Sequence, residues 1–234
     1  MPCKVAISLR VVHAQGYHDP RDALSQDWFP FLASCDVLPV LIPNIGEDTA
    51  AYLGEMNVAG VLLTGGNNLC PESYCATDDT VGDTSGVRDK TESEMIRFAN
   101  ERNLPLIGVC RGMHMLNAYY GGTILPRLKE QIPNAVGHVA CQHDVEIVAQ
   151  KFSETFGVKT LQVNSYHDQG FTRQELAPAL ECIAVSAEDG VVEGLAHPDL
   201  PVVGIQWHPE RPGSSEAFDR ALVRRMFIER DFQA

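Results

Sequence analysis

Apolar residues along this chain follow two alternating patterns. Short, nearly unbroken apolar runs mark strands buried on both faces, and stretches where apolar residues return every three or four positions mark helices with one buried side. Val5 to Val12 reads as the first strand. A polar loop with Gly16, Tyr17 and His18 follows, and Asp19-Pro20 signals a helix start, because Pro fits the first helical turn. That helix is expected to reach about Ser34, with Leu24, Trp28, Phe31 and Leu32 on one side. Val37 to Ile42 is a second strand, Asp48 to Asn57 a helix, and Val58 to Thr64 a third strand ending in Gly65-Gly66.

From Asn67 to Arg88 the periodicity is lost, and the stretch reads as a long surface loop, a feature that often serves function. Asp89 to Arg102 is predicted as a helix and Leu104 to Val109 as a fourth strand, with Cys110 at its end and a helix from Arg111 to about Tyr120. The second half reads as strands over His143–Val148, Leu161–Val163, Leu180–Ser186, Val191–Ala196 and Val202–Gln206, then a helix over about Ser214 to Glu229. Glu188-Asp189-Gly190 is a hairpin signal. Strands alternating with helices predict an α/β fold: a doubly wound, mostly parallel sheet flanked by helices, with a small antiparallel add-on. Nothing along residues 1–234 reads as a linker, repeat or low-complexity tract, so one domain is expected.

Composition narrows the function. The formal net charge is −13 and Lys and Arg do not cluster, which argues against a nucleic-acid groove. An acidic surface repels anions, so any anion site must be built locally. No apolar run is long enough to span a bilayer, and Met1-Pro2-Cys3-Lys4 leads straight into a strand without an export signal, so the expected location is the cytoplasm. Seven scattered cysteines, including Cys70 and Cys75 in the long loop, then read as free thiols.

The most informative segment is Leu106-Ile107-Gly108-Val109-Cys110-Arg111-Gly112-Met113. A buried strand, a sharp turn and a helix meet there, in the G-x-nucleophile-x-G form of a nucleophile elbow with Cys in place of Ser. A thiol at a helix N-terminus faces the positive end of the helix dipole, which favours the reactive thiolate. A thiolate nucleophile needs a base, and the base an orienting group. Gly204-Ile205-Gln206-Trp207-His208-Pro209-Glu210 offers His208 just past a strand and Glu210 two residues on. Pro209 keeps the connection extended, so both can face one site. Leu63-Thr64-Gly65-Gly66-Asn67 is a Gly-rich turn at a strand end, and the N–H groups of Gly66 and Arg111 are the proposed oxyanion donors.

Together, L-T-G-G-N at 63–67, R-D-x-x-E at 88–92, G-V-C-R-G-M at 108–113, N-S-Y-H-D-Q at 164–169 and G-I-Q-W-H-P-E at 204–210 cover nearly the whole chain. They resemble the class I (triad) glutamine amidotransferase superfamily, with its flavodoxin-like domain, and within it the branch of γ-glutamyl-γ-aminobutyrate hydrolases. The resemblance implies hydrolysis of a γ-glutamyl amide through a thioester on Cys110, with His208 as acid and base and Glu210 as its orienter. It places Arg88, Glu92, Tyr166 and His167 around the pocket. His114 departs from the Gln usual after G-M and is expected to pack or hydrogen-bond beneath the site. Arg21-Asp22-Ala23-Leu24-Ser25-Gln26-Asp27-Trp28 resembles the first helix of a subgroup found beside capsule and surface-sugar pathways, one member type of which hydrolyses γ-glutamyl-CDP-amidate. Arg10, at the end of the first strand, is a candidate anion contact at the same sheet edge.

His138, Cys141 and His143 form H-x-x-C-x-H, but zinc sites prefer two such clusters and no second one is evident. These residues read as alternating positions entering a strand; no metal and no cofactor is assigned. The expected partner is a small-molecule γ-glutamyl amide, with no nucleic acid and no membrane; a homodimer is left open. Two alternatives stand beside the free-standing hydrolase: a glutaminase subunit delivering ammonia to a separate synthase chain, and a binding module on a degenerate scaffold, which the intact Cys, His and Glu disfavour.

Overall fold

The structure is a computed structural model, and it describes residues 2–77, 81–132 and 134–231. The chain begins with β1 (Cys3–Ser8), β2 (Arg10–His13), β3 (Pro20–Ala23), α1 (Trp28–Ser34) and β4 (Val37–Ile42). Then come α2 (Thr49–Met56), β5 (Gly60–Leu63), α3 (Gly86–Glu101), β6 (Leu106–Val109) and α4 (Arg111–Tyr119). The second half holds α5 (Leu128–Gln131), β7 (Val139–Ile147), α6 (Gln150–Phe156), β8 (Thr160–Tyr166), β9 (Glu181–Ser186), β10 (Val192–Ala196), β11 (Val202–Ile205) and α7 (Glu216–Arg224).

Nine strands form one sheet in the order β4-β1-β5-β6-β11-β10-β9-β7-β8. The first five are parallel neighbours, and every pairing beyond β11 is antiparallel. The predicted antiparallel add-on is therefore a direct extension of the parallel sheet. Because side chains alternate along a strand, each apolar run feeds two cores. Val5, Ile7, Leu62, Ile107, Val203 and Ile205 face α1 and α7, where Trp28, Leu32, Phe218 and Leu222 cover them. Ala6, Val61, Leu63, Leu106 and Val202 face the opposite side, packed with Leu53, Met95, Ile96, Met113 and Leu116 of α2, α3 and α4.

The first predicted helix needs correction. Pro20 to Ala23 is a strand, not a helix start; it pairs with β2 from Arg10↔Ala23 to His13↔Pro20, and α1 begins only at Trp28. Pro lacks a donor and suits the first residue of an edge strand as well as a helical turn. Tertiary bonding favours the ribbon: the Asp22 carboxylate accepts from Asn44 N at 2.9 Å and Asn44 Nδ2 at 2.6 Å, tying the hairpin to the end of β4. The first predicted strand likewise divides into β1 and β2. α3 starts at Gly86, so Arg88 lies within its first turn. The loop read over 67–88 holds a short 3-10 turn at Pro71–Tyr74, and residues 78–80 lie outside the described residues. Among the described residues no helix is long and apolar enough to cross a membrane, and all seven cysteines are free thiols.

Candidate active site

Cys110 follows β6 and caps α4 with φ +53° and ψ −109°, a conformation sparsely populated by side-chain-bearing residues. Surrounding structure holds it there: Cys110 N donates to Ile205 O at 2.8 Å, and Cys110 O accepts from Met113 N at 2.9 Å. The two elbow glycines supply room. A Cβ on Gly108 would lie 2.6 Å from Gly112 O, and one on Gly112 would collide with Leu63 O. With side chains there, α4 could not seat against β5 and β6.

His208 emerges past β11, and its Nδ1 donates to Glu210 Oε1 at 2.8 Å. Asn164 of β8 grips the His208 backbone from both ends, accepting from its N–H and donating to its carbonyl, each at 2.9 Å. Trp207 anchors the same segment by donating from Nε1 to Asp219 Oδ1 at 2.8 Å. Cys110 and His208 converge at Gly65, where a Cβ would stand 3.6 Å from both Cys110 Cβ and His208 Nε2 and only 2.8 Å from His208 Cε1. Burial opposes charge on His208, but the Cys110 sulfur and the Glu210 carboxylate outweigh it and lift its pKa to about 9. The site therefore favours the protonated ring.

Beneath this pair lies a buried network of two guanidinium groups and two carboxylates. Arg88 donates from Nε to Glu92 at 3.0 Å, and from Nη2 to the carbonyls of Thr64 at 2.8 Å and Gly65 at 3.0 Å. Arg111 pairs with both Asp89 and Glu92. Burial disfavours the charged form of Glu92, yet Arg111 and Arg88 hold its carboxyl below the usual range. Burial and the neighbouring Arg111 charge lower the Arg88 pKa to about 10, against the pull of Glu92. This corrects the expectation of substrate contact: Arg88 and Glu92 are both fully enclosed, and their polar atoms are spent on each other, on Arg111 and on the Thr64–Asn67 turn.

The remaining predicted residues divide. The N–H groups of Gly66 and Arg111 donate to no other group among the described residues. Arg10 lines the cleft over the site with Leu24, Trp28, Gly65, Gly66 and His208, and its guanidinium lies 3.5 Å from the Asp83 carboxylate. Tyr166 is 44 % exposed and stands edge-on to His208, ring centres 5.8 Å apart, with the Arg211 guanidinium over its face. His167 is a second correction: it is buried and turned away from the cleft, its Nδ1 donating to Gln169 O at 2.8 Å and its Nε2 facing Glu193. Neighbouring residues on a strand end point to opposite sides, so Tyr166 and His167 cannot share one wall. His114 lies beneath the site as expected, hydrogen-bonded to Gln206 Oε1 at 2.8 Å, and burial with the neighbouring His167 drops its pKa to about 3. Asn164 was missed as a supporting residue, although N-S-Y-H-D-Q contained it. Glu193 carried no signal, and it joins His138, His143 and His167 in a buried cluster.

A family model described as Peptidase C26 matches residues 5–210, a span that includes Cys110, His208 and Glu210. The chain is 34% identical to Protein NtpR of Enterococcus hirae over 200 residues, 80% of this chain and 81% of that protein. It is 28% identical over 209 residues to a gamma-glutamyl-CDP-amidate hydrolase of Campylobacter jejuni, covering 88% and 90% of the two chains. It is also 28% identical over 204 residues to a gamma-glutamyl-gamma-aminobutyrate hydrolase of Escherichia coli K12, covering 79% and 77%. In fold it is similar to a solved glutamine amidotransferase of Thermotoga maritima, with a TM-score of 0.58 at 18% identity, covering 90% of this chain and 77% of that one.

Proposed function

The chain belongs to the Peptidase C26 family, and from that premise we propose that it is a cysteine hydrolase of γ-glutamyl amides. The observation that carries this reading is Cys110 on its strained elbow, facing an imidazolium whose far side Glu210 holds at 2.8 Å. The Cys110 sulfur attacks the γ-carbonyl carbon, and the N–H groups of Gly66 and Arg111 receive the oxyanion. His208 gives its Nε2 proton to the leaving nitrogen as the C–N bond breaks, leaving a γ-glutamyl thioester. Neutral His208 then takes a proton from water, whose oxygen attacks the thioester; the C–S bond breaks, glutamate leaves, and the Cys110 sulfur and protonated His208 are restored. Arg10, Arg211 and the exposed Tyr166 ring at the rim suit an anionic, stackable leaving group. The name of the Campylobacter relative describes a substrate of that kind.

The test is glutamate release by the purified chain from glutamine, γ-glutamyl-γ-aminobutyrate, a γ-glutamyl anilide and a γ-glutamyl nucleotide amidate, with Cys110→Ala in parallel. One γ-glutamyl amide turned over far faster than glutamine, with an inert but folded Cys110→Ala protein, is the expected result. Unchanged activity in that variant sinks the mechanism. Weak turnover of glutamine alone sinks the free-standing hydrolase and redirects the search to a synthase partner.

A further inference from the structure

The His138, His143, His167 and Glu193 cluster takes no part in the reaction above, and its geometry is unusual. The four side chains are 1 to 3 % exposed. They come from four segments: the approach to β7, β7 itself, the turn after β8, and β10. Glu193 Oε1 stands 3.7 Å from His138 Nδ1, 3.4 Å from His143 Nε2 and 3.5 Å from His167 Nε2. Among the described residues none of these atoms, nor Glu193 Oε2, has a well-aligned hydrogen bond, although despite burial His143 and His167 stand close enough to Glu193 to hold its carboxyl below the usual range. A buried carboxylate ringed by imidazole nitrogens that meet it only at poor angles is costly unless something else completes the group.

We propose that His138, His143 and Glu193 bind one divalent transition-metal ion of the zinc type, with His167 beside them. A tetrahedral ion with nitrogen and oxygen ligands at about 2.0–2.1 Å separates those ligands by about 3.4 Å, close to the spacings around Glu193 Oε1. His138, His143 and Glu193 each offer a ligand atom within 4.8 Å of the other two. Outer contacts set the tautomers. His138 Nε2 donates to Asp189 Oδ2 at 2.9 Å and His167 Nδ1 donates to Gln169 O at 2.8 Å, so His138 Nδ1 and His167 Nε2 present lone pairs toward Glu193. Two imidazoles and a carboxylate suit zinc, cobalt or iron(II), not the all-oxygen shells of calcium and magnesium. Cys141, which the sequence groups with these histidines, is not a ligand: its Sγ donates to Gly137 O at 3.0 Å.

The cluster is sealed from solvent and apart from the triad, so the ion is structural. It would clasp the antiparallel strands behind the triad. Glu193 O accepts from Gln206 N at 2.9 Å, two residues before His208, and His138 O accepts from His167 N at 3.0 Å and Ser165 Oγ at 2.7 Å, beside Asn164.

Untagged full-length protein, stripped with a chelator and dialysed against zinc sulfate or cobalt chloride, tests this by elemental analysis and by the visible absorption of cobalt. One equivalent of zinc, a tetrahedral cobalt spectrum and a rise in Tm on adding zinc are expected. Cys110→Ala should keep the ion, and His143→Ala and Glu193→Gln should lose it. Folded wild-type protein that takes up neither zinc nor cobalt overturns the proposal, a result that does not depend on the variants folding. Zinc that stays in both His143→Ala and Glu193→Gln but is lost in Cys110→Ala also overturns it, since the thiol would then be the binding group.

Discussion

In the parallel half of the sheet, Arg88, Glu92, Arg111 and Asp89 bury two positive and two negative groups against one another. In the antiparallel half, three imidazoles surround a single carboxylate, and among the described residues the facing atoms make no well-aligned hydrogen bond. Both sets are enclosed and both border the catalytic loops. The first is balanced within itself: each guanidinium has a carboxylate, and Arg88 spends further donors on the Gly65 turn. The second is not closed by protein groups. Burial alone thus does not separate the two sets; the fraction of satisfied atoms does, since in the first only Arg111 Nε lacks a partner among the described residues.

The largest expected effect comes from unbalancing the closed network. Glu92→Ala leaves Arg88 and Arg111 facing each other in the core, and should cost about 3–5 kcal/mol of stability in urea unfolding. A loss under about 1 kcal/mol would show that the two guanidinium groups do not depend on Glu92. Next is the turn that the network grips. A methyl on Gly65 would meet His208 Cε1 at 2.8 Å. Gly65→Ala should therefore lower kcat/KM on the order of 10²-fold by displacing the ring, with circular dichroism unchanged. Wild-type activity would show that the turn yields freely.

Between the two clusters sits the triad, where pH gives the probe. His208 must be protonated to donate to the leaving nitrogen, so kcat/KM should fall as pH rises through about 9. Because the folded pKa is raised from 6.5, the imidazolium's stabilising contribution is complete below that value and is lost as pH climbs through about 9. In Cys110→Ala the sulfur's pull is gone, and the His208 pKa read by NMR should drop; an unmoved value would deny the coupling. The smallest effect is expected from His114→Gln. The ring is neutral and bonds Gln206, a bond that Gln can keep, so stability should change by no more than about 1 kcal/mol and activity by a few-fold. A large loss would make His114 part of the support for the histidine cluster.

Legibility followed the reach of each signal. The apolar runs at β1, β5, β6 and β11 were readable because strands buried on both faces need no partner to be recognised. The elbow was readable because its strand, turn, glycines and helix lie within eight consecutive residues. The Pro20–Ala23 hairpin was not, since its pairing with β2 and the Asn44–Asp22 bonds arise only on folding. R-D-x-x-E is half legible: the Arg88–Glu92 pair follows from helical spacing, but its burial follows from where α3 docks. H-x-x-C-x-H is partly legible for a related reason. It displayed two true neighbours and a cysteine that points elsewhere, while His167 and Glu193 arrive from other segments.

By itself, then, the sequence determined the alternation of strands and helices, the elbow that strains Cys110, and the short His208–Glu210 link, all set by spacings along a few residues of chain. Only the tertiary structure decided which polar side chains face the cleft, which are sealed beneath it, and which four segments bring three histidines around Glu193. Those outcomes depend on the order and register of nine strands, and contacts between residues far apart in the chain leave no periodic trace in it.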